Sequence, residues 1–85
     1  MPVVCRFLGI TIAMHYRDHH PAHFHARYGE HEALVAIASG AVWGSLPPRV
    51  LLLVQEWRVL RLQELQADWE RCERCETLEP IAPLE

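Results

Sequence analysis

Histidine is concentrated in one short segment of this 85-residue chain. All six histidines lie between His15 and His31, and none occurs elsewhere in the sequence. Imidazole is the only side chain that, when unperturbed, both binds transition metals well and exchanges a proton near neutral pH. This segment is therefore where we expect the chemistry of the protein, either metal binding or acid–base catalysis.

Two of the imidazoles flank a phenylalanine in the tripeptide His23-Phe24-His25. If the tripeptide forms a β-strand, both rings project from one face, with their Cβ atoms roughly 6.5–7 Å apart. That spacing allows the pair to bind one metal ion or to contact one phosphate. His15 or His19 could supply a third nitrogen.

Asp18 lies between these histidines in the sequence and could supply an oxygen ligand, or an acceptor that orients an imidazole ring. The candidate metal ligands are therefore His15, Asp18, His19, His23 and His25. Three histidines with an open fourth position are typical of catalytic zinc sites. The divalent transition metals that we consider are zinc, nickel and copper.

Other interpretations of the same residues remain open. Small metal-free ribonucleases use the types found at His23, His25 and Arg27, in which histidine moves the proton and arginine neutralises the charge of the phosphorane. The histidines could instead be solvated or hydrogen-bonded turn residues, or could contact an anion, RNA or a partner protein. The chain would then be purely a structural interaction module, so the sequence leaves open whether it is an enzyme.

Length and composition indicate one small domain. A chain of 85 residues buries roughly 60–65% of the surface that its unfolded form exposes, and an apolar content of 51% suits a folded chain. The net charge of −3 argues against broad nonspecific binding to nucleic acid. No apolar run approaches the roughly 18 residues of a membrane span, and three cysteines, an odd number, fit a reducing compartment. We therefore expect a cytoplasmic protein without a membrane segment.

Hydrophobic alternation predicts an antiparallel sheet of about four strands, with candidate strands at residues 2–8, 10–16, 23–28, 31–37 and 41–44. Gly29 and Glu30 suit a two-residue type II′ turn. This turn would place Tyr28 opposite His31 and Arg27 opposite Glu32.

That register assigns the residues of the hairpin to two faces. The mostly apolar set is predicted to face the core: Phe24, Ala26, Tyr28, His31, Ala33, Val35 and Ile37. The other set is predicted to point away from the helix side: His15, His23, His25, Arg27, Glu32, Leu34 and Ala36. An open face on a domain this small favours binding of a partner, either a second copy or another protein.

A helix is expected after the sheet. Pro47 and Pro48 open it, since proline is tolerated in the first helical turn, and Ser45 is a candidate N-cap. The helix is predicted to end near residues 71–75, and its drifting apolar stripe indicates either a bend or two helices in near-continuation around residues 60–62. Residues 77–85 contain two prolines and are expected to lie extended on the domain or to engage a partner.

The predicted architecture is α+β, with one face of the sheet covered by a long or bent C-terminal helix. We expect a single domain over residues 1–85, with strands and the histidine cluster in residues 1–44, helix in residues 45–76 and an extended tail in residues 77–85. The core is predicted to hold all three tryptophans, Trp43, Trp57 and Trp69.

Several chemically reactive residues have simpler interpretations. His31 is predicted to lie at the edge of the core, and His20, which precedes a proline, to lie in a turn. Cys72 and Cys75 have the spacing of half a structural zinc site, but no second pair exists, so two free thiols are the better interpretation. The arginines beside these cysteines are expected to lower the pKa of their thiols somewhat.

Four segments carry a resemblance to a known family: the opening MPVVCRFLGITI, the segment YRDHHPAHFHARYGEHEALV, the helical half SLPPRVLLLVQEWRVLRLQELQADWE and the terminal LEPIAPLE. Over nearly its whole length the chain resembles the small bacterial family called domain of unknown function 4160. It departs from the family pattern at Ala22, where a second proline is usual, and at Cys72 and Cys75.

The resemblance implies a two-gene arrangement, because members of the family are often encoded beside a second short protein, as toxin–antitoxin pairs are. It therefore implies a binding component of a toxin–antitoxin-like module. The expected partner is the product of a neighbouring gene, a second copy of the chain, or both, and the histidine-rich face would bind a metal or that partner.

Overall fold

The computed structural model describes residues 2–84, and within this range it contains five β-strands followed by two α-helices. The elements are β1 (Val3–Phe7), β2 (Ile10–Ala13), β3 (His23–Tyr28), β4 (His31–Ala36), β5 (Val42–Ser45), α1 (Pro48–Leu60) and α2 (Leu62–Glu73). The strands form one antiparallel sheet in the order β1-β2-β3-β4-β5. The α+β class is confirmed, with one strand more than the four or so predicted.

The β3–β4 hairpin has the predicted register. Tyr28 pairs with His31, and Arg27 pairs with Glu32. Gly29 has a φ of 59°, the left-handed value that the first turn position requires and that glycine adopts without steric strain. Because a slip of one residue would exchange the two faces, this turn determines which side chains face the helices.

Alternation along β3 places Phe24 inward. Phe24 has 0% exposure, and its ring meets Trp57 of α1 edge to face at a centroid distance of 5.7 Å. The inner surfaces of the other strands and of the helices complete this core, which includes Ile10, Ile12, Met14, Ala26, Ala33, Val35, Ile37, Val50, Val54 and Leu65. His23 and His25 therefore leave the strand on the opposite face.

The core prediction is wrong for Tyr28, His31 and Trp43. Tyr28 and His31 flank the exposed turn at Gly29, and both are exposed, because register determines the side of a sheet and not how deeply a residue is covered. Trp43 pairs with Leu34, so it shares the outward face and is 50% exposed.

The helical half bends where the drifting stripe predicted. Arg61 has a φ of −113° and separates α1 from α2. The start of the helix differs from the prediction, because Ser45 belongs to β5 and the N-cap is Pro47, which makes no side-chain capping hydrogen bond.

The chain after α2 runs extended along the outer edge of β1. The Ile81 backbone N–H donates to the Val4 carbonyl at 2.8 Å, and the Trp57 indole N–H donates to the Ala82 carbonyl at 2.9 Å. Ile81 itself is 5% exposed. The tail therefore covers one edge of the sheet and contributes to the core.

If the tail is part of the core, Ile81→Ala should lower the free energy of unfolding by about 2–4 kcal/mol, because it removes buried methyl groups. The matched control is Leu52→Ala on α1, where the side chain is 67% exposed and the expected change is within about 0.5 kcal/mol. Urea denaturation followed by circular dichroism measures both. Equal effects of the two substitutions would contradict a structural role for the tail.

Candidate metal centre

The segment between β2 and β3 carries Asp18 to the start of β3. Arg17 has a φ of 54°, which turns the chain, and its backbone N–H lies 3.4 Å from the Cys72 carbonyl of α2. At the other end of the segment, the Ile37 N–H donates to the Ala22 carbonyl at 2.9 Å. The segment is thus tied to α2 at one point and to the residue that follows β4 at the other.

Asp18 is the centre of the histidine cluster. Its Oδ2 atom lies 3.0 Å from Nε2 of His23 and 3.2 Å from Nε2 of His25. Its Oδ1 atom accepts a hydrogen bond from the His19 backbone N–H at 2.8 Å. One carboxylate therefore faces two imidazole nitrogens from the same side of β3.

Burial and the contacts with neighbouring groups have opposite effects on the pKa of the Asp18 carboxyl group. Burial opposes ionisation of the carboxyl group, but the His19 N–H and the contacts with His25 and His23 outweigh it, and the pKa of Asp18 falls to about 2. Asp18 is therefore an anion at neutral pH, the form that ligates a metal.

The hydrogen bonds of His23 determine its tautomer. Nδ1 of His23 lies 2.8 Å from the Pro21 carbonyl, and because a carbonyl can only accept, Nδ1 must donate. A neutral His23 then presents a bare Nε2 lone pair to the Asp18 carboxylate. Two acceptors at 3.0 Å attract each other only when a cation, either a proton or a metal ion, lies between them.

His23 is covered, although the sequence predicted that this face of the sheet would be open. Its exposed fraction is 2%, and its ring lies 5.4 Å from that of Trp69 on α2. The sheet face is the predicted one, but the end of α2 reaches around the start of β3. Cover by an aromatic ring strengthens the electrostatic interaction with Asp18, since it excludes water.

His15 and His25 form a stacked pair. Their ring centroids lie 4.0 Å apart with an interplanar angle of 22°. Among residues 2–84, neither Nε2 of His15 nor Nδ1 of His25 has a hydrogen-bond partner. Burial, and secondarily the charge on His25, lowers the pKa of His15, so its ring stays neutral and its nitrogen can bind a metal.

Two sets of three ligand atoms result, and Asp18 belongs to both. Single atoms of His15, Asp18 and His25 lie within 4.8 Å of one another, as do single atoms of Asp18, His19 and His23. Tetrahedral zinc requires about 3.3 Å between ligand atoms, given bond lengths near 2.0–2.1 Å. The structure therefore brings together all five residues that the sequence nominated as ligands.

The other candidates lie outside this cluster. Arg27, one of the three catalytic candidates, is 55% exposed and lies 3.7 Å from Glu32, its cross-strand neighbour. His20 lies 2.9 Å from Glu73, and its ring meets Trp69 edge to face. His31 is exposed at the end of the hairpin.

The cysteines do not join the cluster. Cys72 is 1% exposed, and burial, followed by the charges of Asp68 and Asp18, raises its pKa to about 11. The expectation that neighbouring arginines lower this pKa is therefore wrong, since Cys72 faces the core. Cys75 is exposed, and its Sγ atom accepts a hydrogen bond from Nε of Arg17 at 3.2 Å.

Sequence reasoning missed a cleft beside the cluster. It has a volume of about 390 Å³ and is lined by His19, Pro21, His23, Leu34 and Trp43. The predicted hairpin register, which put Leu34 and His25 on the same face of the sheet, was the feature of the sequence that could have indicated this cleft. No feature of the sequence indicated that Trp69 packs against His23, because the sequence does not report where α2 meets the sheet.

The fold and the cluster define a class of protein, a small α+β domain with a histidine–aspartate centre on the sheet face opposite its core. The chain belongs to the family described as domain of unknown function (DUF4160), which matches residues 9–70, including all five clustered residues. No curated protein and no solved structure shows significant similarity to it. Neither helix in residues 2–84 is long and apolar enough to cross a bilayer.

The depressed pKa of Asp18 predicts a pH-dependent contribution to stability. Because the value in the folded state, about 2, lies below the ordinary 3.8, the ionised carboxylate stabilises the protein above about pH 4. This contribution disappears as the pH falls towards 2. Asp18→Asn should therefore lower the free energy of unfolding by about 2 kcal/mol at pH 6, measured by urea denaturation in EDTA.

The control for this experiment is Glu30→Gln in the exposed hairpin turn, which should match the wild type at both pH values. A difference between Asp18→Asn and the wild type that stays the same at pH 6 and pH 2 would contradict the assignment.

Proposed function

We propose that this protein is a metal-binding component of a toxin–antitoxin-like two-gene module of the cytoplasm. In this proposal Asp18 and the histidines around it, His15, His19, His23 and His25, hold a divalent transition-metal ion. The observation that supports it best is the position of the Asp18 carboxylate, 3.0 Å and 3.2 Å from two imidazole nitrogens. Two further ring nitrogens in the cluster have no hydrogen-bond partner among the described residues.

The chemistry of the donors favours zinc, nickel or copper. Four imidazoles and one carboxylate suit these ions, whereas calcium and magnesium prefer sites made of oxygen ligands. The hydrogen bond from Nδ1 of His23 to the Pro21 carbonyl, 2.8 Å long, supports the same conclusion. Histidine ligands generally donate their second ring N–H to a carbonyl or carboxylate, which fixes the tautomer with a free nitrogen for the metal.

A protein partner is proposed because of the family and of an exposed helix surface. The two-gene arrangement that accompanies the family supports a neighbouring gene product. On α1, Leu52, Val59 and Leu60 are 67%, 64% and 61% exposed, and such a group of exposed apolar residues favours protein contact. All three cysteines are free thiols, which is compatible with the cytoplasm.

The ribonuclease alternative has less support. His23 is 2% exposed, so a phosphodiester substrate has little access to its ring. Arg27 is outside the cluster of imidazoles around Asp18, on the exposed part of the hairpin beside Glu32. We therefore favour metal binding over metal-free acid–base catalysis at these residues.

Calorimetric titration of metal-stripped protein with zinc, nickel and copper tests the metal site. We expect micromolar or tighter binding of at least one ion, weakened at least tenfold by Asp18→Asn, because Asp18 is the ligand that both sets share. His31→Gln is the matched control, since it removes an exposed imidazole outside the cluster. Absence of binding, or unchanged affinity in Asp18→Asn, would refute the metal site.

Co-expression with the neighbouring gene product tests the module. A tagged wild-type chain should retain that product, and the double variant Leu52→Ser/Val59→Ser should lose at least tenfold in recovered partner, because it removes apolar contact area from α1. Leu8→Ser is the control, since Leu8 is 64% exposed at the β1–β2 turn. If the wild-type chain recovers no partner, the two-gene proposal fails, whatever the metal titration gives.

A further inference from the structure

His25 of β3 lies between two carboxylates, one at each of its ring nitrogens. Its Nε2 atom is 3.2 Å from Oδ2 of Asp18, and its Nδ1 atom is 3.5 Å from Oε2 of Glu32. A neutral imidazole carries one N–H and one lone pair, so it can donate a hydrogen bond to only one of the two carboxylates. The position of the proton on His25 therefore decides which of its nitrogens can bind a metal ion.

Strand register places Glu32 beside His25. His25 pairs with Leu34, and Glu32, two residues earlier on β4, is on the same outward face as a diagonal neighbour of His25. Arg27, which pairs with Glu32, has its Nη2 atom 3.7 Å from Oε1 of Glu32. One oxygen of the Glu32 carboxylate thus faces Arg27, and the other faces Nδ1 of His25.

Two observations favour the proton on Nε2 of His25 when no metal ion is bound. The separation of 3.2 Å from Asp18 is that of a hydrogen bond, whereas the buried Nδ1 atom makes no hydrogen bond among residues 2–84. Asp18 is also the less exposed carboxylate, with a side-chain exposure of 17% against 43% for Glu32, and a hydrogen bond is stronger where water is excluded. In metal-stripped protein, Nδ1 should therefore hold the lone pair.

A metal ion bound by His15, Asp18 and His25 requires the opposite arrangement. Nε2 of His25 is the nitrogen that faces Asp18, so the ion needs its lone pair, and Nδ1 must carry the proton instead. An N–H group at this buried atom requires an acceptor. Histidine ligands generally donate their second ring N–H to a carboxylate or a carbonyl, and the Glu32 carboxylate faces Nδ1.

We propose that Glu32 is a positioning residue of the metal site, which accepts a hydrogen bond from Nδ1 of His25 when a metal ion occupies Nε2. Binding of the ion transfers the proton of His25 from Nε2 to Nδ1 by exchange with solvent, so His25 releases no net proton. The inference rests on the proposed metal site and adds a residue that acts on it through His25.

NMR measures the tautomer of His25 directly. In the ¹⁵N-labelled full chain at pH 8, where a free imidazole is neutral, long-range ¹H–¹⁵N spectra distinguish a protonated ring nitrogen from a bare one. We expect a bare Nδ1 on His25 in EDTA and a protonated Nδ1 when zinc is bound. Zinc binding that leaves Nδ1 bare, or an Nδ1 that is already protonated in EDTA, would overturn the inference.

Calorimetric zinc titration of variants tests Glu32 as the acceptor. Glu32→Ala should weaken zinc binding at least tenfold, the usual effect of removing such an acceptor. Glu32→Gln, whose amide oxygen still accepts a hydrogen bond, should bind zinc within about threefold of the wild type. The matched control is Glu30→Ala in the exposed hairpin turn, which removes the same charge two residues away and should leave zinc affinity unchanged.

The outcomes separate this inference from the proposed metal site. If the wild type binds no zinc, both fail. If the wild type binds zinc and Glu32→Ala binds it equally well, the metal site stands and the role of Glu32 is overturned. That role is also overturned if Glu32→Gln binds as weakly as Glu32→Ala, or if Glu30→Ala loses as much affinity, because charge and not hydrogen-bond acceptance would then be responsible.

Discussion

Successive side chains of β3 point to opposite faces of the sheet, and the composition of both faces depends on this alternation. Phe24 points inward and meets Trp57 at 5.7 Å, and Trp57 in turn packs against Phe7 of β1. Because these rings fill the centre of a small core, a one-residue slip of β3 would replace Phe24 with an imidazole beneath α1. The aromatic contact therefore stabilises the fold and also keeps His23 and His25 on the other face.

The outward face contains polar groups that are covered without being part of the core. Asp18 and His23 have side-chain exposures of 17% and 2%, and burying such groups is unfavourable unless they are paired. A buried ion pair generally adds little net stability compared with apolar residues of similar volume. Stability alone therefore does not account for a carboxylate surrounded by imidazoles, and the proposed cation site would account for it.

Sequence reasoning succeeded where local rules decide the outcome. Alternation and the Gly29 turn were enough to place His15, His23 and His25 on one face, and the drifting helical stripe located the bend at Arg61. It failed where coverage depends on how elements meet in space. Trp43 is exposed because no element in residues 2–84 covers that part of the outward face, and His23 is covered because Trp69 of α2 lies against its ring. The residues near Trp43 and His23 in the sequence do not indicate either fact.

If the cluster binds metal as proposed, electrostatics favours one ion at a time. The two ligand sets share Asp18, and ions occupying both would stand about 4 Å apart, as they do in two-metal enzymes. Two dications at that separation repel each other by roughly 17 kcal/mol at an effective dielectric constant near 20. A single shared carboxylate, with Glu32 3.5 Å from His25, supplies too little negative charge to offset this repulsion.

In the proposed site, one ion would lie either with the His15–His25 pair or with the His19–His23 pair. Nε2 of His15 makes no hydrogen bond among the described residues, whereas His23 already donates Nδ1 to the Pro21 carbonyl and so keeps Nε2 directed at Asp18. Asp18 belongs to both sets, so it would remain a ligand in either position, and its substitution tests both.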